Sequence, residues 1–152
     1  MDKIAATIKG VILTPLKIIE REPGNIMHGM KEGDPGYEGF GEAYFTFVNY
    51  KAIKGWKKHK HMTLNLVVPL GIVKFVIFDD RHNSPTNGQF FETILSRQQY
   101  QRLTVSPGLW TAFQGMDKNE NMVLNIGSIH HDPTETEDLQ LDNPRLQYGN
   151  WI

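Results

Sequence analysis

Cysteine is absent from the 152-residue sequence, which excludes disulfides, thiolate metal sites and a thiol nucleophile. The charges almost cancel, because 16 Lys and Arg face 17 Asp and Glu and leave a formal net charge of −1. A molecule with so little net charge is not drawn as a whole to nucleic acid or to an anionic membrane. Neither partner is therefore expected.

Long apolar runs are also lacking. Residues 1–6 show no apolar stretch of the kind found in a cleavable signal, and no later run approaches the length of a membrane span. We therefore expect a cytoplasmic protein. The length and the 39% hydrophobic content are typical of one folded domain over residues 1–152.

No sustained helical period of apolar residues is present. Instead, short runs of β-branched and aromatic residues alternate with Gly, Pro and Asn turns, which predicts an all-β sandwich or barrel. Residues 72–79 are apolar on both faces, as in a strand buried on both sides. A helical turn is expected at 96–100. Strands are predicted at 8–13, 16–20, 43–50, 63–68, 72–79, 89–95, 103–105, 110–113 and 122–126.

Two loop regions stand out by composition. Residues 21–41 contain two prolines and six glycines with little periodicity, and a loop of this length is usually functional or mobile. The acidic segment 132–138 is expected to wind over the surface.

The most unusual stretch is residues 54–63, which hold four lysines and two histidines directly before an apolar strand. One interpretation is a solvated basic loop, and the other is a site at the mouth of that strand. On a strand, His59 and His61 would share a face, where two imidazoles can bind a metal or act as acid and base. With His130 and His131 they could form a non-haem metal centre. The neighbouring lysines oppose a metal ion and suit a phosphorylated substrate better.

Several motifs occur in a fixed order along nearly the whole chain: Gly10-Val11-Ile12-Leu13, Lys54-Gly55-Trp56-Lys57, Asp80-Arg81, Ser84-Pro85-Thr86-Asn87-Gly88 and Ser106-Pro107-Gly108. Together they resemble the sugar-nucleotide cupins typified by dTDP-4-dehydrorhamnose 3,5-epimerase. The spacing from Gly55 to Gly71 is also similar to that of the sugar 3,4-ketoisomerases. The resemblance implies a cupin jelly-roll β-barrel with a long Gly-rich N-terminal loop. It also implies a homodimer that needs no cofactor and takes a nucleotide-linked 4-keto-6-deoxy sugar.

Some family positions are substituted. The proton-abstracting His of the epimerases corresponds to Lys57, the catalytic Tyr to Asn125 and a later His to Thr111. The Asp that supports the base corresponds to Asp142 or Asn143. The second His of the ketoisomerases corresponds to His59. The positions of metal ligands in metal-dependent cupins hold Leu64 or Asn65 and Thr111, so no metal is expected.

The expected function is an epimerase or isomerase that abstracts a proton next to the keto group, in surface polysaccharide or deoxysugar biosynthesis. His59 is predicted to be the base, and Lys57 to stabilise the enolate or return the proton. Two alternatives are a non-catalytic sugar-nucleotide or glycan-binding cupin and a metal-dependent cupin enzyme. His130, His131 and Tyr44 are candidates for an acid across the barrel. The predicted substrate-binding residues are Lys54 (for the diphosphate), His61, Arg81, Asn125, His130, His131 and Tyr44.

Overall fold

The computed structural model describes residues 3–152, which form twelve strands and one short 3₁₀ turn, Pro133–Glu135. The all-β prediction is confirmed. No helix among these residues is long and apolar enough to cross a membrane. The strands are β1 (Val11–Pro15), β2 (Ile18–Ile19), β3 (Ile26–Met27), β4 (Glu42–Phe47), β5 (Ile53–His59), β6 (Leu64–Leu70), β7 (Val73–Asp79), β8 (Gln89–Leu95), β9 (Gln101–Val105), β10 (Trp110–Gly115), β11 (Met122–Gly127) and β12 (Thr136–Asp138).

Two five-stranded antiparallel sheets face each other. The first sheet has the order β1-β9-β6-β11-β4 and the second has the order β12-β5-β10-β7-β8, while β2 and β3 form a separate small hairpin. The main core lies between the sheets, with Leu66 and Leu103 from the first and Phe75 and Ile77 from the second. This is the sandwich that the strand pattern predicts.

The second sheet is covered on its outer face as well. Trp56 and Trp110 pack there against Leu146 and Tyr148 of the C-terminal segment, and Val76 of β7 belongs to the same cluster. Burial on both faces explains why residues 72–79 read as continuously apolar. The C-terminal segment is thus a structural layer over the second sheet.

The chain departs from the sequence predictions at several places, including β3 within the predicted loop 21–41 and β12 within the acidic segment 132–138. Residues 53–59 form a strand and not a basic loop, because β5 pairs with β10 on one side and with β12 on the other. The strand ends at His59, so His61 lies in the following turn and not on the same face of a strand. Residues 96–100 form a turn without helix.

The Gly-rich loop packs against the outer face of the first sheet. Arg102 is fully buried and donates hydrogen bonds to the carbonyl oxygens of Gly29 (2.9 Å) and Pro35 (2.8 Å). Asn65 donates to the carbonyl of Gly36 (3.0 Å). Gly36 has a φ of +85°, and a Cβ there would lie 2.3 Å from the Thr104 hydroxyl oxygen. The loop therefore needs glycine at this position in order to approach the sheet.

Replacing Arg102 with Met should destabilise the fold by about 2–4 kcal/mol, because buried loop carbonyls lose their donors. Urea unfolding measures this loss, and amide exchange should rise selectively over residues 28–36. Arg97→Met is the matched control, since Arg97 is exposed and makes a single 3.3 Å bond to the Pro69 carbonyl. Equal stability of the two variants would show that Arg102 does not hold the loop.

Candidate active site

A cavity of about 420 Å³ opens between the two sheets. One wall is β5 of the second sheet, which contributes Lys54, Lys57 and His59. The other wall is formed by β4 and β11 of the first sheet, with Tyr44, Thr46 and Asn125. Leu64, Leu66 and Phe113 line the rest of the interior with apolar side chains, and Thr111 adds a buried hydroxyl. An apolar cavity with a few converging polar groups is typical of a small-molecule site.

A β-bulge brings three basic side chains of β5 to one wall. Alternation along the strand points Lys57 and His59 into the cavity, while Trp56 packs in the outer cluster. Between the pairs Thr111↔Lys57 and Phe113↔Lys54 the register shifts by one residue. The extra residue returns Lys54 to the cavity side, although it lies three residues before Lys57.

The His59 ring is held by a buried carboxylate. Glu135 is 3% exposed, and its Oε1 lies within hydrogen-bond distance of His59 Nδ1. Its other oxygen, Oε2, accepts from the backbone N–H groups of Lys60 (3.0 Å), His61 (2.9 Å) and Met62 (3.2 Å). Both oxygens thus accept hydrogen bonds, four in all, so the fold stabilises Glu135 in its ionised carboxylate form.

The ionisation of Glu135 decides the tautomer of His59. Burial opposes ionisation, but the hydrogen bonds from His59, His61 and Met62 outweigh it and hold the pKa of Glu135 below its usual value. An ionised carboxylate can only accept, so Nδ1 of His59 carries the hydrogen and donates it. In the neutral ring the lone pair is then on Nε2, for which no hydrogen-bond partner is seen among residues 3–152.

Lys57, the second predicted catalytic residue, has a different partner. Its Nζ lies 3.8 Å from Asp138 Oδ1, and both side chains are substantially exposed, which makes this a weak ion pair. The carboxylates that pair with Lys57 and His59 are therefore Asp138 and Glu135, and not the predicted Asp142 or Asn143.

Tyr44 and Asn125 are neighbours on the wall opposite His59. They are directly paired in the register between β4 and β11. Burial, followed by the negative charge of Glu42, raises the pKa of the Tyr44 phenol, so it stays protonated well above neutral pH. Asn125 is 6% exposed and makes one long bond, 3.4 Å, to the Val123 carbonyl.

Four predicted substrate-binding residues do not line this cavity: His61, Arg81, His130 and His131. Arg81 instead makes two 2.9 Å hydrogen bonds to the buried Asp79 carboxylate, which fixes the turn after β7. His61 and His131 lie near Asp132 at the surface. No cluster of three or more His, Asp or Glu within residues 3–152 is arranged to hold a metal ion.

Glu135 is the functional residue that the sequence reading missed. The segment 132–138 looks like a solvated acidic tail, yet Asp132 caps a turn by accepting from the Thr134 N–H (2.9 Å), with Pro133 in the first position. Asp-Pro is a recognisable start signal for a helical turn. That signal predicts a structured turn, although it does not predict that Glu135 points inward.

Glu135→Gln should destabilise the protein by about 2 kcal/mol at neutral pH, because the amide NH₂ must face a donor at one of the two oxygen positions. The pKa of Glu135 is lower in the folded protein than in the unfolded chain, where it is about 4.3. The ionised side chain therefore contributes fully to the free energy of unfolding above the unfolded-state pKa, and this contribution is lost as the pH falls through the folded-state pKa. The stability gap between wild type and variant should therefore narrow in acid. Urea unfolding at neutral and acidic pH measures it.

Glu137→Gln is the matched control, since Glu137 is two residues away, half exposed and 3.9 Å from Lys58. This substitution should lower the free energy of unfolding by less than about 0.5 kcal/mol. A Glu135→Gln variant as stable as this control at neutral pH would contradict the role of the buried carboxylate.

Comparison with solved structures confirms the jelly-roll fold. A dTDP sugar isomerase from Desulfovibrio desulfuricans superposes with a TM-score of 0.90 at 31% identity, covering 93% of this chain and 91% of that chain. An epimerase from Legionella pneumophila in complex with dTDP-4-keto-L-rhamnose gives a TM-score of 0.81 at 19% identity, over 97% of this chain and 81% of that chain. At such low identity the second likeness concerns the fold alone.

Comparison with known sequences points to the same group of proteins as the comparison with solved structures. A probable low-salt glycan biosynthesis epimerase from Haloferax volcanii is 22% identical over 108 residues, which are 70% of this chain and 65% of that protein. The match thus spans just under two thirds of that relative's length. The family model described as dTDP-4-dehydrorhamnose 3,5-epimerase matches residues 7–151, which confirms the resemblance. The chain belongs to the dTDP-4-dehydrorhamnose 3,5-epimerase family of sugar-nucleotide epimerases and isomerases.

Proposed function

We propose that this protein epimerises or isomerises a dTDP-linked 4-keto-6-deoxyhexose, with His59 as the base. The observation that carries the proposal is the His59–Glu135 pair at the cavity wall, which leaves the Nε2 lone pair available to a bound substrate. The family match and the likeness to the dTDP sugar isomerase from Desulfovibrio desulfuricans support the class of substrate. The pathway would be deoxysugar or surface glycan biosynthesis in the cytoplasm.

The chemistry begins with removal of a proton from a carbon next to the keto group. His59 Nε2 takes the proton, and the C–H electron pair becomes the double bond of an enolate whose negative charge collects on the keto oxygen. A cation close to that oxygen lowers the barrier. Lys57 lies two residues before His59 on the same wall, and its weak pair with Asp138 leaves its ammonium free to turn to the oxygen.

Lys54 is suited to the diphosphate of the substrate. The bulge in β5 places it on the cavity side, and its side chain is exposed at the rim. A flexible lysine binds phosphate as a point charge without fixed geometry. The sugar would then lie deeper, between His59 and the opposite wall.

Replacing His59 with Asn should abolish deuterium uptake next to the keto group when the protein is incubated with a dTDP-linked 4-keto-6-deoxyhexose in D₂O. The expected loss is about 100-fold or more, the usual contribution of a general base. His61→Asn is the matched control, because His61 lies two residues away and outside the cavity, and it should keep wild-type exchange. Proton NMR of the sugar follows the reaction.

The same experiment decides between turnover and binding alone. Wild-type protein that binds the nucleotide sugar but exchanges no proton would support a non-catalytic sugar-nucleotide cupin, which the substitutions at Lys57 and Asn125 would permit. Equal exchange by wild type and His59→Asn would remove His59 as the base.

A homodimer is part of the proposal, and the exposed aromatic strand β4 supports it. This strand is an edge of the first sheet, and its Phe45 and Phe47 point away from the cavity with 62% and 48% exposure. Phe40, just before the strand, is 65% exposed. An uncovered aromatic edge strand invites pairing with another chain, and a second copy would cover it symmetrically.

Phe45→Glu should convert a dimer to a monomer, as measured by sedimentation velocity with circular dichroism to verify folding. Ile94→Glu is the control, since Ile94 is 38% exposed on β8, an edge of the other sheet, and should leave the mass unchanged. A monomeric wild type would refute the dimer, and a dimeric Phe45→Glu variant would refute this surface.

A further inference from the structure

The two walls of the cavity belong to different sheets, and each carries a group that can exchange protons. His59 lies on β5 of the second sheet and Tyr44 on β4 of the first sheet. A hexose ring held between the sheets would present opposite faces to these two side chains. Inversion at a carbon next to a ketone requires removal of a proton from one face and its return to the other. A 3,4-ketoisomerisation can instead move a proton along one face with a single base.

Only one side chain among the described cavity residues can supply a proton from the wall opposite His59. Lys54 and Lys57 are on the same strand as His59 and face the same side of a substrate. Asn125 stands where the family carries its catalytic Tyr, and an amide is not a proton acid. His130 and His131 lie outside the cavity. The aliphatic hydroxyl of Thr46 is a far weaker acid than a phenol, which leaves Tyr44.

We propose, building on the function proposed above, that Tyr44 is the catalytic acid and that the reaction is therefore an epimerisation with inversion. The Tyr44 O–H bond breaks, its hydrogen goes to the enolate carbon on the face opposite His59, and the electron pair of the enolate double bond forms the new C–H bond. The keto oxygen regains its double bond. Solvent returns a proton to the Tyr44 phenolate and accepts one from the His59 imidazolium, so the enzyme is restored.

Two further observations fit this role. The Tyr44 side chain is 49% exposed although it lines the cavity, so water can reach it between turnovers. Its phenol, with a pKa raised by burial and by Glu42, is protonated when the substrate arrives. Because Tyr44 and Asn125 are paired across β4 and β11, the acid has moved to the neighbouring strand, just as the base has moved two residues along β5.

The test is Tyr44→Phe in D₂O, with deuterium uptake and inversion of the sugar measured separately by proton NMR. His59 can still remove a proton and return a deuteron on its own face, so uptake with retained configuration should continue within a few-fold of wild type. Inversion should fall about 100-fold or more. Tyr50→Phe is the control, because Tyr50 is another partly exposed tyrosine that lies outside the cavity, and it should keep both reactions.

The outcomes separate the two proposals. In one outcome, the wild type takes up deuterium and inverts the sugar carbon, and the Tyr44→Phe variant inverts it equally well. That result would overturn the role of Tyr44 and leave His59 as the base. Parallel loss of uptake and inversion in Tyr44→Phe, with unchanged dTDP affinity, would also overturn it, since the phenol would then be needed for deprotonation. Wild type without exchange would overturn the proposed function and the role of Tyr44 with it.

Discussion

The buried Glu135 carboxylate is the interaction on which the site depends. It accepts hydrogen bonds from one imidazole and three successive backbone N–H groups, and thereby joins the end of β5, the turn at residues 60–62 and the 3₁₀ turn before β12. A carboxylate buried this deeply is tolerated only when its acceptor positions are filled. The requirement that stabilises the turn also fixes the orientation and the tautomer of His59.

The cavity wall formed by β5 is also supported from its outer face. Leu139 donates to the Trp56 carbonyl at 3.0 Å directly after β12, which continues the pairing of the C-terminal segment with β5. Farther on, the Lys74 ammonium donates to the Asn150 carbonyl at 2.7 Å and lies over the rings of Tyr148 and Trp151. The aromatic cluster on the outer face thus fastens the segment that carries Glu135 and Asp138 to the strand that carries His59 and Lys57.

Much of the fold could be predicted from the sequence, because strands rich in apolar residues are recognisable from local composition. The ranges predicted for β6, β7 and β8 differ from the observed strands by at most two residues, and both faces of β7 are buried as expected. The strand β5 could not be predicted from its own residues. Its lysines and histidine are compatible with a strand only when Trp56 packs behind them. The burial of Glu135 could not be predicted for a similar reason. Its carboxylate is stabilised in a buried position by hydrogen-bond donors that lie 73–76 residues away in the sequence. Such long-range pairing leaves no local pattern.

The predicted base His59 and the predicted cation Lys57 do share one wall, whereas His61 and the pair His130-His131 do not reach it. His61 follows the end of β5 at His59, and His130 and His131 follow the end of β11 at Gly127, so none of the three lies on a strand of the cavity wall. The most direct measurement is a nitrogen-15 NMR spectrum of the His59 ring at mildly alkaline pH. We expect a protonated Nδ1 and an unprotonated, pyridine-type Nε2, and a spectrum in which Nε2 carries the hydrogen would contradict the placement of the base.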